Sequence, residues 1–462
     1  MSSHYDLIVI GSGPAGESAA ELAAYFGYRV AIIERNKPGG TVTTRGGAPT
    51  KTLREAALAL TGFYHQEVYG VELGAPPAVA LDKLAERTRQ VCQAVQAATT
   101  HRLASMEIPY LHGTARLAPG GKVIVTTTDG TGVELSARVV LIATGSRPLR
   151  PENVPFDDPA VFDVDGIYSL TALPESLFIV GGGPIGVEFA TIFNALGTRV
   201  TLAQLADRLA PTMDGELSRM MAQIFAERGV QVILGAGTEA VRRVGDRLHV
   251  TLSNGATVEA EAVFFAAGRH PNTEELGLCE VGVEVDERGC IVVDQAFQTS
   301  APGVFAAGDV VAPGLASVAM EQGRVAVCQA FGIDFLDVVD PTPISAVYGV
   351  PEMAGAGLTE EQCQQQGLDY AVGRSTFASI PRGAISGHDG LLKLLFRRDD
   401  RRLLGVHCLG EIASELVGAG QIALHFGSTI DIFTMITLPT PTYSYAYKNA
   451  AIDGLRRLGK RS

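Results

Sequence analysis

The chain opens with an apolar strand, a glycine-rich turn and a helical pattern. Four apolar residues, Leu7-Ile8-Val9-Ile10, lead into Gly11-Ser12-Gly13-Pro14-Ala15-Gly16. A pattern typical of a helix follows and ends near Phe26, and a second apolar run covers Arg29 to Ile33. This order predicts a strand, a tight turn, a helix and a second strand.

The three glycines of this turn have the spacing of a dinucleotide-binding site. In such a turn Gly11 permits the chain reversal, Gly13 lets the backbone approach a pyrophosphate, and Gly16 allows the helix to pack on the strand. Glu34 lies 18 residues after Gly16, where an acid accepts hydrogen bonds from ribose hydroxyl groups. The segment therefore predicts a site for one dinucleotide.

The same unit recurs 170 residues later in the chain. The run Leu177-Phe178-Ile179-Val180 leads into Gly181-Gly182-Gly183-Pro184-Ile185-Gly186, then a helix from Val187 and a strand from Arg199 to Leu202. The position that corresponds to Glu34 is Gln204. Two such sites imply two dinucleotides. The alternative, two purely structural glycine turns, does not account for the constant offset.

Three further segments place small residues directly after an apolar strand: Ile142-Ala143-Thr144-Gly145, Ala266-Ala267-Gly268-Arg269 and Phe305-Ala306-Ala307-Gly308-Asp309. From residue 340 the glycine fingerprints stop, and runs such as Leu391 to Phe396 alternate with helical patterns. A third domain is indicated. The predicted fold class is α/β, with two Rossmann-like dinucleotide-binding domains and a C-terminal α+β domain.

Length, composition and charge exclude several classes of protein. With 462 residues, 46% of them apolar and 19% charged, the chain predicts a globular protein of about three domains. A net charge of −13 opposes binding to nucleic acid or anionic lipid, because both depend on clustered Lys and Arg. No apolar run approaches the roughly 18 residues of a membrane span, and no signal segment precedes the first strand. We expect a cytoplasmic protein.

Neither the histidines nor the cysteines indicate a metal site or a redox pair. The nine histidines show no metal-ligand spacing. The cysteines lie far apart and are Cys92, Cys279, Cys290, Cys328, Cys363 and Cys408. Each is most simply a small hydrophobic residue. Only Cys279 and Cys290, on either side of a predicted turn, are left open as a pair that meets in space.

Residues 39 to 51 read Gly39-Gly40-Thr41-Val42-Thr43-Thr44-Arg45-Gly46-Gly47-Ala48-Pro49-Thr50-Lys51. This segment resembles the active-site segment of the flavoprotein disulfide reductases, or class I pyridine nucleotide-disulfide oxidoreductases. Their pattern is Gly-Gly-x-Cys, four residues, Cys, then x-Pro-Ser-Lys. Its two cysteine positions fall on Val42 and Gly47, which cannot form the thiolates that disulfide exchange needs. The resemblance covers essentially the whole chain and implies bound FAD and NAD(P)H.

The resemblance also implies roles for individual residues. Lys51 and Glu188 match an ion pair beside the flavin N5, where a cation stabilises negative charge on reduced flavin, and are the predicted catalytic residues. Asp309 matches the aspartate that bonds the flavin ribitol. The predicted FAD-binding positions are Gly11, Gly13, Pro14, Ala15, Gly16, Glu34, Gly40, Thr41, Lys51, Thr144, Gly145, Gly308 and Asp309. The predicted NAD(P)-binding positions are Gly181, Gly183, Ile185, Gly186, Gln204 and Gly268.

The family's organisation, carried onto this sequence, gives four segments. Residues 1–150 form the first part of the FAD-binding domain, and residues 151–270 the NAD(P)-binding domain. Residues 271–339 form the central part of the FAD-binding domain, and residues 340–462 the dimerisation domain. In the family this last domain lends residues to the partner subunit's active site, so the resemblance implies a homodimer.

The chain departs from the family again near its C-terminus. Thr440-Pro441-Thr442-Tyr443-Ser444-Tyr445-Ala446-Tyr447 aligns with His-Pro-Thr-x-Ser-Glu-Ala-Tyr, so Thr440 replaces the catalytic His and Tyr445 the supporting Glu. Neither replacement has a pKa near neutrality for acid–base work. Arg45 together with Thr440, Tyr443 and Tyr445 of a partner would form a cationic, aromatic pocket for a planar or anionic acceptor such as a quinone. A collapsed, packed face is the alternative.

The choice between the two nicotinamide nucleotides depends on Gln204. An acid there would bond the ribose hydroxyls and repel a 2′-phosphate, whereas Gln204 does neither. Arg208, four residues on, either reaches a phosphate or forms a surface ion pair. A neutral residue tolerates both cofactors, which an enzyme passing hydride from one nicotinamide to the other requires.

Within the family the chain most resembles the soluble pyridine nucleotide transhydrogenases, in Gly11-Ser12-Gly13-Pro14, Leu315-Ala316-Ser317 and Gln322-Gly323-Arg324. Those enzymes also lack a complete cysteine pair, but they keep the first cysteine and the glutamate that Tyr445 replaces. We predict an FAD-dependent NAD(P)H oxidoreductase that passes hydride to a small non-disulfide acceptor, as a transhydrogenase or a quinone-type reductase. The alternatives are a redox-silent FAD and NAD binding module and, less favoured, a disulfide reductase that uses other cysteines.

Overall fold

The computed structural model describes residues 4–65, 69 and 80–458, and the chain divides into two compact units. Unit 1 consists of Met1–Thr52, Ala85–Leu149 and Gly268–Asp340. Unit 2 consists of Leu53–Leu84, Arg150–Ala267 and Pro341–Ser462. The four-segment domain division given above stays a prediction beside this division into two units.

The secondary structure follows the alternation expected from the sequence. Up to residue 149 the elements are β1 (His4–Ile10), α1 (Pro14–Tyr25), β2 (Val30–Glu34), α2 (Gly40–Thr44), α3 (Ala48–His65), α4 (Leu81–Ser105), β3 (Tyr110–Ala118), β4 (Lys122–Thr127), β5 (Gly132–Ile142) and β6 (Ser146–Pro148). Between residues 150 and 267 they are β7 (Val161–Phe162), β8 (Ser176–Val180), α5 (Pro184–Ala195), β9 (Arg199–Gln204), α6 (Gly215–Glu227), β10 (Gln231–Leu234), β11 (Thr238–Val244), β12 (Arg247–Leu252), β13 (Thr257–Ala260) and β14 (Ala262–Phe265).

The rest of the described chain completes both units. Its elements are β15 (Arg269–Pro271), α7 (Leu278–Val281), β16 (Val304–Ala306), α8 (Ala316–Phe331), β17 (Ser345–Val347), β18 (Glu352–Gly357), α9 (Glu360–Gln365), β19 (Tyr370–Thr376), α10 (Pro381–Ser386), β20 (Leu391–Arg397), β21 (Leu403–Gly410), α11 (Ala413–His425), α12 (Ile432–Met435) and α13 (Tyr445–Arg457). Short 3-10 turns at Ile167–Ser169 and Phe377–Ser379 join some of them.

A six-stranded sheet forms the centre of unit 1. β1 pairs in parallel with β2 on one side and β5 on the other, and β16 adds to β5 in parallel. β3 and β4 complete the sheet, with antiparallel pairing from β3 through β4 to β5. Helices cover the sheet, so Ile8 and Ile32 are fully buried, as in parallel sheets generally. Helices α1 and α8 touch backbone to backbone, since a β-carbon at Gly323 would lie 2.2 Å from the Ala15 carbonyl oxygen.

Unit 2 contains a second parallel sheet and a C-terminal antiparallel one. The parallel sheet has the order β10-β9-β8-β14-β7, and the small meander β11-β12-β13 packs beside it through Val241, Leu248 and Val263. The antiparallel sheet has the order β17-β18-β21-β20-β19, and α11 and α13 pack on it. Phe396 and Tyr447 are buried in its core. The predicted fold class is confirmed by these layers.

The structure moves two predicted boundaries of the second fingerprint. Helix α5 begins at Pro184 rather than Val187, and β9 extends to Gln204. Proline is favoured at the first position of a helix because its fixed φ is already helical and its missing N–H would lack a partner there. None of the helices that the structure describes is long and apolar enough to cross a bilayer.

Candidate active site

The three glycines of the first turn have different surroundings. Gly11 has a φ of +104°, and a β-carbon there would lie 2.3 Å from the Ala143 carbonyl oxygen. A β-carbon at Gly16 would lie 2.0 Å from the Gly11 carbonyl oxygen, so any larger residue would push α1 off the strand. At Gly13 a β-carbon would meet no atom within 4 Å. The open side of the turn is therefore at Gly13, at the N-terminus of α1, where backbone N–H groups attract phosphate.

The second glycine turn repeats these contacts in unit 2. Gly181 has a φ of +99°, and a β-carbon there would lie 2.8 Å from the Ala266 carbonyl oxygen. A β-carbon at Gly186 would lie 1.8 Å from the Gly181 carbonyl oxygen, and one at Gly183 would meet nothing within 4 Å. The duplication seen in the sequence is thus a duplication of backbone contacts. Each unit has one open helix N-terminus of the kind that binds a pyrophosphate.

The residue that ends the second strand of each fingerprint makes the same hydrogen bond. In unit 1 the Ser12 backbone N–H donates to Glu34 Oε2 at 2.8 Å, and the Asn36 N–H donates to Oε1 at 2.7 Å. In unit 2 the Gly182 N–H donates to Gln204 Oε1 at 2.9 Å. Exchange of carboxylate for amide leaves the bond intact and removes one negative charge. The two sites therefore share a scaffold and differ in charge where a ribose would be recognised.

A glycine-rich loop packs against the first fingerprint. The Gly39 N–H donates to the Ser12 carbonyl oxygen at 3.0 Å, and a β-carbon at Gly40 would lie 2.9 Å from the Gly13 Cα. The short helix α2 starts here, and the Arg45 and Gly46 N–H groups both donate to the Thr41 carbonyl oxygen. This contact places Gly40 against Gly13, and the role of Gly40 and Thr41 at the same dinucleotide stays a prediction.

Val42 and Gly47 lie against each other. A β-carbon at Gly47 would stand 2.4 Å from the Val42 carbonyl oxygen and 2.8 Å from the Val42 Cα and Cγ1. Helix α3 begins one residue later, and the Thr50 hydroxyl donates to the carbonyl oxygens of Gly46 and Gly47 at 2.9 and 3.0 Å. Lys51 lies in the first turn of that helix, half-buried. Positions 42 and 47 are therefore neighbours. Gly47 has no side chain, and the Val42 backbone occupies the space that a side chain there would need.

Asp309 sits in a polar cluster at the end of β16. Its Oδ2 accepts a hydrogen bond from the Ser146 hydroxyl and lies 3.4 Å from Arg269 Nε, and its Oδ1 accepts the Gly314 N–H at 3.1 Å. Arg269 also donates to the Ser146 hydroxyl at 2.7 Å. Gly308, with a φ of +80°, donates its N–H to Gln322 Oε1 at 2.8 Å. Ser146 and Arg269 were not among the predicted site residues, although each directly follows a predicted glycine.

The motif that ends β5 is fixed by a single asparagine. The Asn272 side-chain amide donates to the Thr144 carbonyl oxygen at 2.9 Å, while the Thr144 hydroxyl donates to the Asn272 carbonyl oxygen at 2.7 Å. The Asn272 N–H donates to the Gly145 carbonyl oxygen at 2.9 Å. Gly268, which has a φ of +149°, directly precedes β15. The bonds from Asn272 therefore fix the backbone of Thr144 and Gly145.

Glu188 is buried in unit 2, in the first turns of α5. Its Oε1 accepts the Tyr348 N–H at 2.9 Å, and the Val350 N–H donates to the hydroxyl of Thr191, one helical turn further on, at 3.3 Å. Segment 348–352 is held in turn by Arg54, whose Nη2 lies 2.7 Å from Glu352 Oε1. Glu188 therefore has a fixed position within unit 2. Lys51 belongs to unit 1, and the ion pair between the two residues stays a prediction.

Comparison with known proteins decides the family. Residues 5–323 match the family described as pyridine nucleotide-disulphide oxidoreductase, and residues 344–451 match the dimerisation domain of the same family. The chain belongs to the pyridine nucleotide-disulphide oxidoreductase family. This membership confirms the expected FAD-dependent oxidoreductase that uses pyridine nucleotides, and the dimerisation domain supports a homodimer.

Relatives and solved structures of this family cover the chain from end to end. The chain is 36% identical to the soluble pyridine nucleotide transhydrogenase of Mycobacterium tuberculosis (strain ATCC 25177 / H37Ra) over 98% of both chains. It is 35% identical to the protein of that name from Marinomonas sp. (strain MWYL1), over 98% of this chain and 99% of the relative. The crystal structure of LpdA from M. tuberculosis has a TM-score of 0.91 at 29% identity, covering 98% of this chain and all of LpdA. The HOCl-induced flavoprotein disulfide reductase RclA of Escherichia coli has a TM-score of 0.86 at 27% identity, covering 97% of this chain and 99% of RclA.

The residues of unit 1 fit the FAD that the pyridine nucleotide-disulphide oxidoreductase family uses. Gly13 leaves open space at a helix N-terminus for the pyrophosphate, and Glu34 presents a carboxylate at the ribose position. Asp309 adds an acceptor at the end of the neighbouring strand. The individual roles of these residues stay predictions.

The cysteines among the described residues form no disulfide. All six cysteines are free. Burial raises the pKa of Cys290, Cys328 and Cys408, and that of Cys363 to about 11, so these thiols stay protonated near neutral pH. The contact that the sequence left open between Cys279 and Cys290 is not a disulfide.

Tyr443, considered for the vacated side of the flavin, and Arg208, considered for a 2′-phosphate, both have other partners. Tyr443 is buried in its own C-terminal core, and its hydroxyl pairs with the Ser386 hydroxyl at 2.7 Å and donates to Glu411 Oε2 at 3.1 Å. It therefore adds no exposed ring to an acceptor pocket. Arg208 lies 3.2 Å from Glu361, so the ion-pair alternative describes it. Sequence spacing could show neither, because the partners come from distant elements.

Proposed function

We propose that this protein is a soluble NAD(P) transhydrogenase that works without a redox disulfide. A hydride leaves NADPH or NADH and reaches the oxidised form of the other nucleotide, so the net reaction exchanges one hydride and no proton. Bound FAD supplies the two-electron carrier for this exchange. The acceptor is a small molecule, and a cytoplasmic location is part of the proposal.

The contact between Gly47 and Val42 carries the proposal. A disulfide reductase needs two sulfur atoms at these positions, one to attack and one to resolve. Here neither position has sulfur, and a β-carbon at Gly47 would already lie 2.4 Å from the Val42 carbonyl oxygen. Electrons therefore leave the flavin by a route that needs no thiol, and a second nicotinamide nucleotide offers such a route.

The nucleotide site of unit 2 supports use of both nicotinamides. Gln204 bonds the Gly182 N–H as an acid would, but it places no negative charge where a 2′-phosphate would lie. An enzyme that alternates between NADP(H) and NAD(H) at one site needs such tolerance. The names of the relatives at 35–36% identity agree with this activity.

The remaining residues take the roles expected of a hydride-transfer site. Lys51 supplies a cation beside the flavin, and Glu188, which is buried in unit 2 and accepts the Tyr348 N–H, is its partner in the ion pair that the family resemblance predicts. The glycines of the two fingerprints, with Glu34 and Asp309 in unit 1 and Gln204 in unit 2, hold the two dinucleotides. Thr440 and Tyr445 leave the site without the acid–base pair of a thiol enzyme.

Anaerobic stopped-flow mixing tests the proposal. The holoenzyme is first reduced with one equivalent of NADPH, and bleaching of the flavin absorbance is followed. The reduced enzyme is then mixed separately with thio-NAD⁺, a quinone, oxygen and a disulfide. Rapid reoxidation by thio-NAD⁺, with formation of its reduced chromophore, is the expected result.

Three other outcomes have a definite meaning. Reoxidation by the quinone alone would assign the quinone-reductase activity. Rapid reoxidation by the disulfide would refute the proposal, and a flavin that NADPH and NADH both leave oxidised would identify a redox-silent binding module.

A further inference from the structure

The loop between β9 and α6 carries Arg208, four residues after Gln204. The Ala210 N–H donates to the Gly182 carbonyl oxygen at 2.7 Å, which folds the loop back onto the second fingerprint. A β-carbon at Gly182 would lie 2.9 Å from Leu209 Cδ2 and 3.0 Å from Gln204 Cβ. Arg208 directly precedes Leu209. Its main chain is therefore fixed beside the end of β9, where the adenosine ribose of a dinucleotide is recognised.

The guanidinium of Arg208 already has two partners. Its Nη2 donates to the Pro211 carbonyl oxygen at 3.0 Å, and its Nη1 lies 3.2 Å from Glu361 Oε1. The two paired side chains are 30% and 29% exposed, so an anion from solvent can reach them. Glu361 belongs to α9, in the C-terminal part of unit 2, and not to the dinucleotide fold.

Glu361 is held rigidly in this position. The Gly215 N–H donates to its Oε1 at 3.1 Å, at the start of α6. A capping box between Thr359 and Gln362 fixes the first turn of α9. The Glu360 N–H donates to Asp214 Oδ2 at 3.1 Å, and Asp214 is itself fully buried.

A buried ammonium anchors the same junction. Lys393 Nζ, from β20, lies 2.9 Å from Asp214 Oδ1 and 3.0 Å from Glu216 Oε2, and Lys393 is fully buried. Withdrawal of Glu361 from Arg208 would disturb this junction between α6 and α9. The carboxylate is thus a fixed competitor for the guanidinium, not a mobile surface group.

We propose that Glu361 is a specificity-determining residue, which holds Arg208 away from the 2′-phosphate of NADP(H) and so keeps the preference between the two nucleotides small. The inference rests on the proposed binding of both nucleotides in unit 2. A 2′-phosphate that takes Arg208 must displace Glu361, so one anion replaces another and little is gained. With a neutral residue at 361 the phosphate would gain the whole charge-assisted bond.

Binding of two nucleotide fragments tests the inference without any hydride transfer. Adenosine 2′,5′-bisphosphate and 5′-ADP differ at the 2′-phosphate, and calorimetric titration of the holoenzyme gives the Kd of each. Glu361→Gln keeps an acceptor for the Gly215 N–H and removes the charge. It is expected to bind the bisphosphate about tenfold more tightly and 5′-ADP unchanged. The double variant Glu361→Gln with Arg208→Gln should lose this gain.

Matched variants separate the inference from a general charge effect. Asp207→Asn removes an exposed negative charge from the same loop and should alter neither Kd by more than about twofold. Arg208→Gln in the native background should also have little effect. An equal gain in Asp207→Asn, a selective loss in Arg208→Gln alone, or an unchanged Glu361→Gln would each overturn the inference.

Separate measurements distinguish misfolding of a variant from loss of the nucleotide site. Thermal unfolding and the FAD absorbance of each variant show whether it is intact, and Glu361→Ala, expected to show the same gain, replaces Glu361→Gln if the latter is not. If wild type binds neither fragment, the nucleotide site itself is refuted, and the inference with it. A failed acceptor screen with normal fragment binding would refute only the transhydrogenase assignment.

Discussion

Gly47 has no room for a side chain above Val42, because a β-carbon there would stand 2.4 Å from the Val42 carbonyl oxygen. Gly46, the preceding residue, would place a β-carbon in open space. Gly47→Ala should therefore lower the free energy of unfolding by about 1–3 kcal/mol through overpacking, whereas Gly46→Ala should change it little. Urea unfolding followed by circular dichroism compares the two. If both variants have the same free energy of unfolding, the loop accommodates a methyl group at position 47 without loss of stability.

The predicted ion pair at the flavin gives a kinetic prediction. Lys51→Met removes the cation, and Glu188→Gln removes the charge but keeps an acceptor for the Tyr348 N–H. Each should slow reduction of bound FAD by NADH or NADPH by about 10- to 100-fold. Stopped-flow absorbance measures the rate, and Lys37→Met, at an exposed lysine, is the control. Wild-type rates in both variants would remove these residues from the mechanism.

Charge at position 204 should set the nucleotide preference. Gln204→Glu keeps the bond to the Gly182 N–H, and it adds a negative charge that repels a 2′-phosphate. We expect kcat/KM for NADPH to fall at least about tenfold relative to that for NADH. Gln231→Glu, on the adjacent strand β10, is the matched control because it adds the same charge elsewhere. If the ratio of kcat/KM for NADPH to that for NADH changes equally in both variants, the added charge acts at long range and not through contact at position 204.

Glu17 should make stability depend on pH. It follows Gly16 in α1, and burial raises the pKa of its carboxyl from 4.5 to about 7, although Arg102 opposes the shift. A raised carboxyl pKa means that the unfolded chain ionises first, so stability from this site is lost as pH rises from about 4.5 to about 7. Glu17→Gln should remove up to about 3 kcal/mol of this loss. Urea unfolding at pH 4.5 and 8 measures it, with exposed Glu55→Gln as control.

The dimerisation domain exposes large apolar side chains. Phe426, at the end of α11, is 77% exposed, and Met435, in α12, is 80% exposed. If they lie in the subunit interface, Phe426→Asp together with Met435→Asp should shift the protein to monomers, because burial of two carboxylates is costly. Sedimentation velocity measures the shift. Tyr25→Asp, at an equally exposed ring outside this domain, should leave the dimer intact.

The turns that hold the dinucleotides could be predicted from the sequence because their geometry is local. The spacing of Gly11, Gly13 and Gly16 defines which glycine faces the strand, the open side and the helix, and the second copy repeats it. The closeness of Val42 and Gly47 also follows from a short loop. Local periodicity predicted the strands and helices of the two fingerprints to within a few residues, and the preference of proline for the first position of a helix explains why α5 begins at Pro184.

Contacts between distant segments were outside the reach of the sequence. Nothing in the spacing of Arg208 indicates Glu361, because the two come from a loop of the second fingerprint and from α9. Tyr443 lies at the start of a helix with polar neighbours in the chain, yet Ser386 and Glu411 from other elements hold its hydroxyl inside the core. Periodicity cannot tell which of several helix-terminal aromatic residues is buried.

The buried ammonium of Lys393 limits how this protein can be divided. Asp214 caps helix α6 by accepting the Glu216 N–H, and its only opposite charge within bonding distance among the described residues is Lys393, on a strand that begins at residue 391. A fragment cut before β17 would retain the whole parallel sheet of unit 2 but leave that carboxylate exposed to water or unpaired. The nucleotide-binding fold of unit 2 is therefore not a transferable module, and a fusion or truncation that keeps it must also keep the C-terminal sheet.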